Sequence, residues 1–465
     1  MAPAPACIWE KVEPMSTEKQ PVEREGSLQA PTRHPLRWRE AEFFDEVALL
    51  NELARVFEIC HGCRRCFSLC NAFPTLFDLI DATESMELEG VNQADYWKVV
   101  DHCYLCDICF MTKCPYVPPH PWNVDFPHLM LRAKAVKRKT KRSKVRDRVL
   151  SSTDVLGRIA SRPVVAPAVN AANRTPLMRR LLEGTLGVHR DAWLPGYQTQ
   201  ALRKRLMRRR PVLSAEEAEG TDETRGRVAL FTTCFANFNE PKLVEDLIAV
   251  FEHNRIPVIL GERERCCGMP KLELGDLDAV ASLAAVNVPV LAHLVDRGFD
   301  IVTPVPSCVL MFKQELPLLL PDDADVAKVR DAVYDPFEYL MLRHKAGKLQ
   351  TDFVQPLGKI AYHVPCHLRV QNIGLKTRDL LRLVPGTEIV PIERCSGHDG
   401  TYAVKREFHA ASMKIGRPVV NQVKHHNADH YSSDCPMAGH HIENGLPPGP
   451  PPTHPLTLLR QAYGI

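Results

Sequence analysis

Apolar residues follow two different patterns along the chain. Between residues 40 and 130 they recur at the spacing of amphipathic helices, as in Ala41–Phe57 and Met86–Val100. From Arg227 onward, short apolar runs alternate with longer helical segments, which is typical of α/β units with a parallel sheet. The pattern therefore predicts a multidomain α+β protein, with a helical first module and an α/β second half.

The α/β half is predicted to be a tandem duplication, because its apolar runs lead to cysteines in the same order twice. In the first copy these cysteines are Cys234, Cys266, Cys267 and Cys308, and in the second they are Cys366, Cys395 and Cys435. The first gap spans 31 residues in one copy and 28 in the other, and the second gap spans 40 and 39. Parallel strands end at one edge of a sheet, so these thiols are expected to converge there.

These patterns divide the chain into five segments. Residues 1–40 are polar and rich in proline, and are predicted to be a disordered tail in which Cys7 has no role. Residues 41–130 form the helical module, and residues 131–226 form a basic helical linker region. The two cysteine-rich repeats occupy residues 227–350 and 351–465.

The chain holds sixteen cysteines, and eight of them form two dense motifs, C-x2-C-x2-C-x3-C and C-x2-C-x2-C-x4-C. Cysteines spaced in this way wrap the backbone around an iron–sulfur cube, and a cysteine of the other motif provides the fourth ligand. The predicted ligands of one [4Fe–4S] cluster are Cys60, Cys63, Cys66 and Cys114, and those of the other are Cys103, Cys106, Cys109 and Cys70. Structural zinc is the alternative, because it also binds C-x2-C pairs.

Charge and hydropathy add expectations about location. The N-terminus lacks the pattern of a signal peptide, and the longest uncharged stretch, Ala279–Val295, is short for a membrane span and is predicted to be a buried element. We therefore expect a cytoplasmic protein, with peripheral contact to the inner face of the cell membrane as an alternative. Two basic runs, Arg132–Arg148 and Arg203–Arg210, favour solvated helix faces, or else docking to an acidic partner or to anionic lipid. No aromatic residues interleave them, so nucleic acid is not expected as a partner.

The second repeat contains His363-Val364-Pro365-Cys366-His367 and Cys395-Ser396-Gly397-His398-Asp399-Gly400-Thr401-Tyr402. Together with the two-cluster module, these motifs resemble the iron–sulfur subunits of anaerobic glycerol-3-phosphate dehydrogenase, glycolate oxidase and heterodisulfide reductase. The resemblance implies a helical ferredoxin-like module and cysteine-rich repeats whose seven cysteines hold a third iron–sulfur or iron centre. It also implies an electron relay from a flavin-containing dehydrogenase or another redox protein to a quinone or other acceptor.

This chain departs from the family pattern at three cysteine positions. Ser396 replaces the second cysteine of the adjacent pair, and Met311 and Ala438 stand at the closing positions of the two repeats. A full metal shell is therefore expected only in the first repeat. His363, His367, His398 and His440 are candidate replacement ligands, whereas His425, His426 and His441 are expected to be solvated.

Three classes of function remain open from the sequence. The leading hypothesis is an electron-transferring oxidoreductase subunit that does not act on an organic substrate alone, because no strand is followed by a G-x-G-x-x-G fingerprint. The second is a reductase that acts on a disulfide or peroxide at the centre of the first repeat. The third is an iron–sulfur sensor or scaffold, for which no nucleic-acid-binding motif provides support.

Overall fold

The computed structural model describes residues 30–140, 144–209, 213–214, 216 and 218–465. Most of the predicted disordered tail, with Cys7, lies outside the described residues. The described chain forms a helical module, a set of short connecting helices and two α/β repeats.

The helical module contains no strand in residues 41–140, all of which the structure describes. Its helices are α1 (Glu46–Cys63), α2 (Ala72–Asp81), α3 (Tyr96–His102), α4 (Ile108–Thr112) and α5 (Phe126–Lys139), with 3-10 turns at Ala41–Phe44, Leu88–Gly90 and Gln93–Asp95. The Asp45 side chain caps α1 by accepting hydrogen bonds from the backbone N–H groups of Val47 and Ala48. Phe57 of α1 packs near Phe126 of α5 in the core.

Two sequence expectations for this module were wrong. Met86–Val100 is not one helix, because the side chain of Asn92 caps a separate turn by accepting a hydrogen bond from Ala94 N–H, and only α3 follows. The predicted boundary at residue 130 falls inside α5, which continues as one helix into the basic segment. The connecting helices after it are α6 (Val145–Leu150), α7 (Thr153–Ala160), α8 (Val165–Arg174), α9 (Pro176–Leu186) and α10 (Leu202–Leu206).

The first repeat is built on a parallel sheet of β1 (Val228–Leu230), β2 (Val258–Leu260), β3 (Asp300–Val302) and β4 (Val333–Tyr334), in the order β2-β1-β3-β4. Its helices are α11 (Cys234–Phe238), α12 (Pro241–His253), α13 (Met269–Leu272), α14 (Leu277–Asp296), α15 (Pro306–Leu310), α16 (Leu316–Leu319), α17 (Ala324–Ala332) and α18 (Pro336–Lys345), with a π-helical segment at Met311–Glu315.

The second repeat has the parallel strands β5 (Gly358–His363), β6 (Thr387–Ile392) and β7 (His430–Ser433), in the order β6-β5-β7. Its helices are α19 (Cys366–Arg369), α20 (Lys376–Leu381), α21 (Arg406–His426), α22 (Pro436–Glu443) and α23 (Pro455–Tyr463). In both repeats the first strand lies between the second and the third, so the predicted duplication is confirmed. The first repeat differs by its additional strand β4.

Helix α14 contains the uncharged stretch noted in the sequence. By length and composition alone it passes as a membrane span, but half of its apolar window is buried inside the protein. It connects β2 to β3 as a crossover helix and packs against α13 and α17. A core helix of this kind meets the same criteria as a membrane span, so its hydropathy is explained by packing.

Basic side chains join the module to the repeats instead of forming a free surface. Lys134 of α5 donates hydrogen bonds to the backbone carbonyls of Cys103 and Glu273. Gly275 has a φ of 72° and lies directly against the backbone of Lys134, where a Cβ atom would collide. Close packing of α5 on the first repeat therefore depends on that glycine.

Seven other basic residues of the two runs are paired with carboxylates. The ion pairs include Lys137–Asp101, Arg138–Asp276, Lys144–Glu407, Arg146–Glu407, Arg203–Glu264, Arg205–Glu245 and Arg209–Glu252. The expectation of solvated helix faces or docking surfaces is therefore corrected for these residues, because their charges are neutralised by carboxylates of this chain.

The last part of the predicted tail is an ordered strap across the module and the first repeat. Arg33, whose side chain is only 10% exposed, forms ion pairs of 2.8 Å with Asp107 and Asp125 and lies 3.5 Å from Glu315. The Trp38 indole N–H donates a hydrogen bond of 2.9 Å to the carbonyl of Leu319. The expectation of disorder is therefore wrong for residues 30–40.

Removal of the Arg33 side chain should destabilise the protein strongly. Arg33→Ala leaves two buried carboxylates without their cation, which typically costs about 3 kcal/mol or more. We expect the free energy of unfolding, measured by urea denaturation under anaerobic conditions, to fall by about that amount. Arg37→Ala is the matched control, because the Arg37 side chain is 80% exposed. Equal stabilities of the two variants would contradict the strap's role.

Candidate metal centres and interdomain cleft

The four cysteines predicted for one cluster meet around a small cavity in the helical module. Cys60 and Cys63 lie in the last turn of α1, and Cys66 and Cys114 complete the group. Phe73, Phe77 and Tyr116 line the same cavity. Burial, followed by the nearby thiols of Cys66 and Cys114, raises the pKa of Cys60. Burial likewise raises the pKa of Cys66 to about 12.

The four cysteines predicted for the other cluster also lie together. Cys103 and Cys109 are buried. Burial raises the pKa of Cys70, and the neighbouring thiols of Cys103 and Cys106 act in the same direction. Cys114 thus lies beside the cysteines of the first motif and Cys70 beside those of the second, while the assignment of cluster ligands stays a prediction.

The chemistry of these two groups fits iron–sulfur clusters. A thiol whose pKa is raised by burial becomes a stable thiolate only when a cation binds it, and iron provides that charge. Among the described residues, no three His, Cys, Asp or Glu side chains converge as the ligands of one metal ion do. Donor sets made only of cysteine thiols, with donors from both motifs, fit iron–sulfur clusters.

The four cysteines of the first repeat form a connected group at the carboxyl edge of its sheet. The Cys234 thiol donates a hydrogen bond to Cys266 at 3.9 Å, and the Cys308 thiol donates one to Cys267 at 3.2 Å. The Thr153 hydroxyl lies 3.5 Å from the Cys266 sulfur. Hydrogen bonds from Cys234 and Cys267 lower the pKa of Cys266 well below that of an ordinary thiol.

The cysteines of the second repeat lie against the helical module. Hydrogen bonds with the thiols of Cys106 and Cys395 raise the pKa of Cys366. The Tyr104 hydroxyl hydrogen-bonds to the Cys395 sulfur at 3.3 Å. The hydrogen bond from Cys366, together with that from Tyr104, lowers the pKa of Cys395 to about 7. Cys435 lies apart from this pair, and burial raises its pKa to about 12.

The two repeats build the same local arrangement around one sulfur. Cys266 and Cys395 each accept a hydrogen bond from the N–H of a glycine two residues later, Gly268 or Gly397, whose φ is positive in both cases. Each sulfur also contacts the cysteine after the first strand of its repeat, and each contacts one hydroxyl. That hydroxyl comes from outside the repeat: from Thr153 in the first, and from Tyr104 of the module in the second.

The cysteine groups of the two repeats open onto one cleft between the repeats, which has a cavity of about 260 Å³. Its lining includes the cysteines of both repeats together with Ser396, Trp193 and Tyr197. Two carboxyl groups, the buried Glu273 and the half-buried Asp399, also face it. Burial raises the pKa of Glu273 to about 7, and burial raises the pKa of Asp399 as well.

The candidate histidine ligands divide into two classes. Both ring nitrogens of His363 are used, with Ser433 at 2.9 Å and the carbonyl of Arg394 at 3.0 Å. Both ring nitrogens of His440 lie on carboxylates, Glu240 at 2.7 Å and Glu443 at 2.8 Å. These two histidines therefore support the site by hydrogen bonding and have no free nitrogen for a metal.

His367 and His398 line the cleft. The Nε2 atom of His367 is buried without a hydrogen-bond partner among the described residues. Burial lowers the pKa of His398 to about 3, so this imidazole is neutral. His441 was expected to be solvated, but it is only 4% exposed and lies 3.0 Å from the Ser412 hydroxyl. The expectation for His441 was therefore wrong.

Comparison with known proteins agrees with this architecture. Residues 228–313 and 360–443 each match the family described as a cysteine-rich domain, CCG. The chain is 32% identical over 344 residues to a subunit of the anaerobic glycerol-3-phosphate dehydrogenase of Escherichia coli, a match that covers 74% of this chain and 83% of that protein. The chain belongs to the family of this dehydrogenase subunit.

Other relatives share parts of the chain. A subunit of the fumarate reductase (CoM/CoB) of Methanothermobacter marburgensis is 27% identical over 226 residues, covering 47% of this chain and 42% of that protein. An iron–sulfur protein of Methanocaldococcus jannaschii is 28% identical over 224 residues, covering 47% of this chain and 42% of that protein. This member of the dehydrogenase-subunit family is therefore an iron–sulfur component of the oxidoreductase type.

The sequence analysis did not identify three residues of the site in this protein, namely Tyr104, Thr153 and Glu273. Tyr104 lies between Cys103 and Cys106, and this position inside a C-x2-C segment could have indicated that it is near the site. Thr153 and Glu273 carried no such signal, because their neighbours in space are distant in sequence.

Cys114 and Cys70 are each predicted to bind the cluster of the other motif. Substitution of either one should therefore affect only one of the two module sites. Cys114→Ser should remove one group and Cys70→Ser the other, and each should lower the iron content of the anaerobically purified full chain by about four atoms. Iron analysis and electron paramagnetic resonance of the reduced protein measure this. Cys435→Ser is the control, because Cys435 lies apart from both module groups. Loss of the same signal in both module variants would contradict the crossed arrangement.

Proposed function

We propose that this protein is the electron-transfer subunit of a multisubunit oxidoreductase. In this proposal it passes electrons from a flavin-containing dehydrogenase to a quinone or another acceptor. Iron–sulfur clusters, when bound, transfer single electrons. In this proposal the oxidation of the organic substrate takes place on a partner subunit, because this chain has no dinucleotide-binding fingerprint.

We assign two [4Fe–4S] clusters to the helical, ferredoxin-like module. Cys60, Cys63, Cys66 and Cys114 would hold the first cluster, and Cys103, Cys106, Cys109 and Cys70 the second. The support for this assignment is the grouping of buried or half-buried thiols in two sets of four, each with donors from both motifs. The thiols whose pKa is raised by burial would lose their protons on binding iron.

The observation that carries the relay is the contact between the second cysteine motif and the second repeat. Cys106 touches Cys366, and Tyr104 touches Cys395, so no other element separates the module from the cleft. The rings of Tyr104 and Tyr402 also lie 5.2 Å apart, which packs the loop against the second repeat. A short path of this kind suits electron transfer between the module and the cleft.

We also propose a third centre in the first repeat, held by Cys234, Cys266, Cys267 and Cys308. These four thiols are connected and buried or half-buried at one sheet edge. The second repeat is unsuited to a full shell of its own, because the Ser396 hydroxyl is a poor ligand for iron beside thiolates. Cys366, Cys395 and Cys435 then line the cleft instead of enclosing a further cluster.

The electron-transfer role can be measured directly. The anaerobically purified full chain should take up electrons from photoreduced flavodoxin, seen as bleaching of its visible absorbance. It should not oxidise glycerol 3-phosphate, glycolate or lactate with an artificial acceptor. Robust turnover of any of these substrates by the single chain would contradict the proposal.

The third centre has its own test. Cys267→Ser should remove one spectroscopic signal while both module signals persist, since Cys267 belongs to the first repeat only. Cys435→Ser is the matched substitution in the second repeat and should perturb that signal less. Identical spectra for the wild type and the Cys267→Ser variant would show that the repeats carry no centre.

A second candidate function is reduction of a disulfide or peroxide in the cleft. The cavity beside the first-repeat thiols favours it, as does the neighbouring Glu273, whose pKa burial raises to about 7 so that it can donate a proton near neutral pH. Reduction of such a substrate needs two electrons and two protons. Steady-state disulfide reduction that Glu273→Gln slows, with module spectra unchanged, would distinguish it from a relay.

A further inference from the structure

Two thiols of the second repeat, Cys366 and Cys395, are neighbours that the proposed third centre does not use. Strands β5 and β6 pair in parallel, with His363 opposite Ile392. Cys366 and Cys395 each stand three residues beyond this pair. Neighbouring strands lie about 5 Å apart, so equal offsets from a paired position bring the two cysteines together. The hydrogen bond from the Cys366 thiol to the Cys395 sulfur agrees with this placement.

The second repeat has too few grouped thiols to enclose a metal centre of its own. In the first repeat four thiols are connected. In the second, Ser396 stands where the first repeat has Cys267, and Cys435 lies apart from the other two cysteines. What remains is one pair of thiols in contact, which is the composition of a disulfide.

The two sulfurs of this pair have different surroundings. Both cysteines are half-buried and line the cleft, so they are open to a small reagent that enters it. The Cys395 sulfur hydrogen-bonds with the Gly397 N–H and with the Tyr104 hydroxyl, each at 3.3 Å. These hydrogen bonds favour the reduced sulfur, because a disulfide sulfur is a weaker acceptor. The Cys366 thiol instead hydrogen-bonds with Cys106 of the module.

We propose that Cys366 and Cys395 form a redox-active disulfide that exchanges electrons with the second cluster of the module. This inference rests on the proposed electron-transfer function. On reduction the S–S bond breaks, and each sulfur gains one electron and one proton, which gives two thiols. The electrons come singly from a reduced flavoprotein through the module, and the protons come from solvent. On oxidation both S–H bonds break, the S–S bond forms, and the two electrons leave singly through the module to the acceptor.

A thiol pair beside the module has a use that the clusters lack. A flavin releases two electrons for each substrate molecule that it oxidises, whereas one iron–sulfur cluster accepts a single electron. The contact between Cys106 and Cys366 places the pair directly beside a cysteine assigned to the second cluster. The disulfide can therefore store both electrons of one flavin turnover outside the clusters.

The test measures the redox state of the two thiols in the anaerobically purified full chain. Samples are equilibrated in mixtures of reduced and oxidised glutathione, quenched in acid, alkylated and digested for mass spectrometry. We expect a reversible cross-link between the peptides of Cys366 and Cys395, with the iron content unchanged. Cys366→Ser and Cys395→Ser should each abolish this cross-link. Cys435→Ser is the matched control and should retain it, because Cys435 lies apart from the pair.

Two further variants examine the surroundings of the pair. Tyr104→Phe should shift the ratio of disulfide to dithiol about fivefold towards the disulfide, because the hydrogen bond that it removes stabilises the reduced sulfur. Photoreduced flavodoxin should open the cross-link in the wild type but not in Cys70→Ser, which lacks a cysteine assigned to the second cluster. Excess reduced glutathione should still open it in that variant, which shows that the pair itself is intact.

Three results would overturn the proposal. Absence of a cross-link at every glutathione ratio would exclude the disulfide, although bleaching by flavodoxin would still support the electron-transfer function. Loss of iron in the Cys366→Ser variant, with no cross-link in the wild type, would identify these cysteines as metal ligands. Equal opening of the cross-link by flavodoxin in the wild type and in Cys70→Ser would show that the pair takes no electrons from the second cluster.

Discussion

The loop from Cys103 to Asp107 is the contact on which the arrangement of the whole protein depends. It supplies cysteines to the helical module, and it touches the second repeat through Tyr104 and Cys106. Asp107, at its end, forms the ion pair with Arg33 that connects the strap to the module. Five consecutive residues thus connect the grouped thiols of the module, the cleft and the N-terminal strap.

Polar groups buried around this loop are compatible with folding because they are paired within the chain. Lys134 binds the carbonyl of Cys103, and most described basic residues of the two basic runs meet carboxylates on other segments. Buried charges are costly unless paired, so these contacts fix the orientation of the segments. Burial nevertheless raises the pKa of six of the eight module thiols, including Cys103 although Lys134 lies nearby, so binding of a metal would stabilise the fold.

Sequence patterns predicted the parts of this protein that depend on local spacing. The C-x2-C motifs indicated two groups of neighbouring thiols, and the apolar runs predicted two parallel sheets in a tandem duplication, although not the order of their strands. Contacts between distant segments were not predictable, since neither the Arg33 strap nor the Thr153 and Tyr104 hydroxyls have a periodic signal. The outcome for His441 shows the same limit, because its burial depends on packing against α21 and Ser412.

The origin of the two hydroxyls has a consequence for how such a domain can be inherited. Thr153 and Tyr104 both lie outside the repeats whose sulfurs they contact. A cysteine-rich repeat moved alone into another protein would leave behind the donor that completes its sulfur environment. Gene fusion or domain exchange in this family should therefore preserve the connecting helix and the module loop together with the repeats, as one unit of recombination.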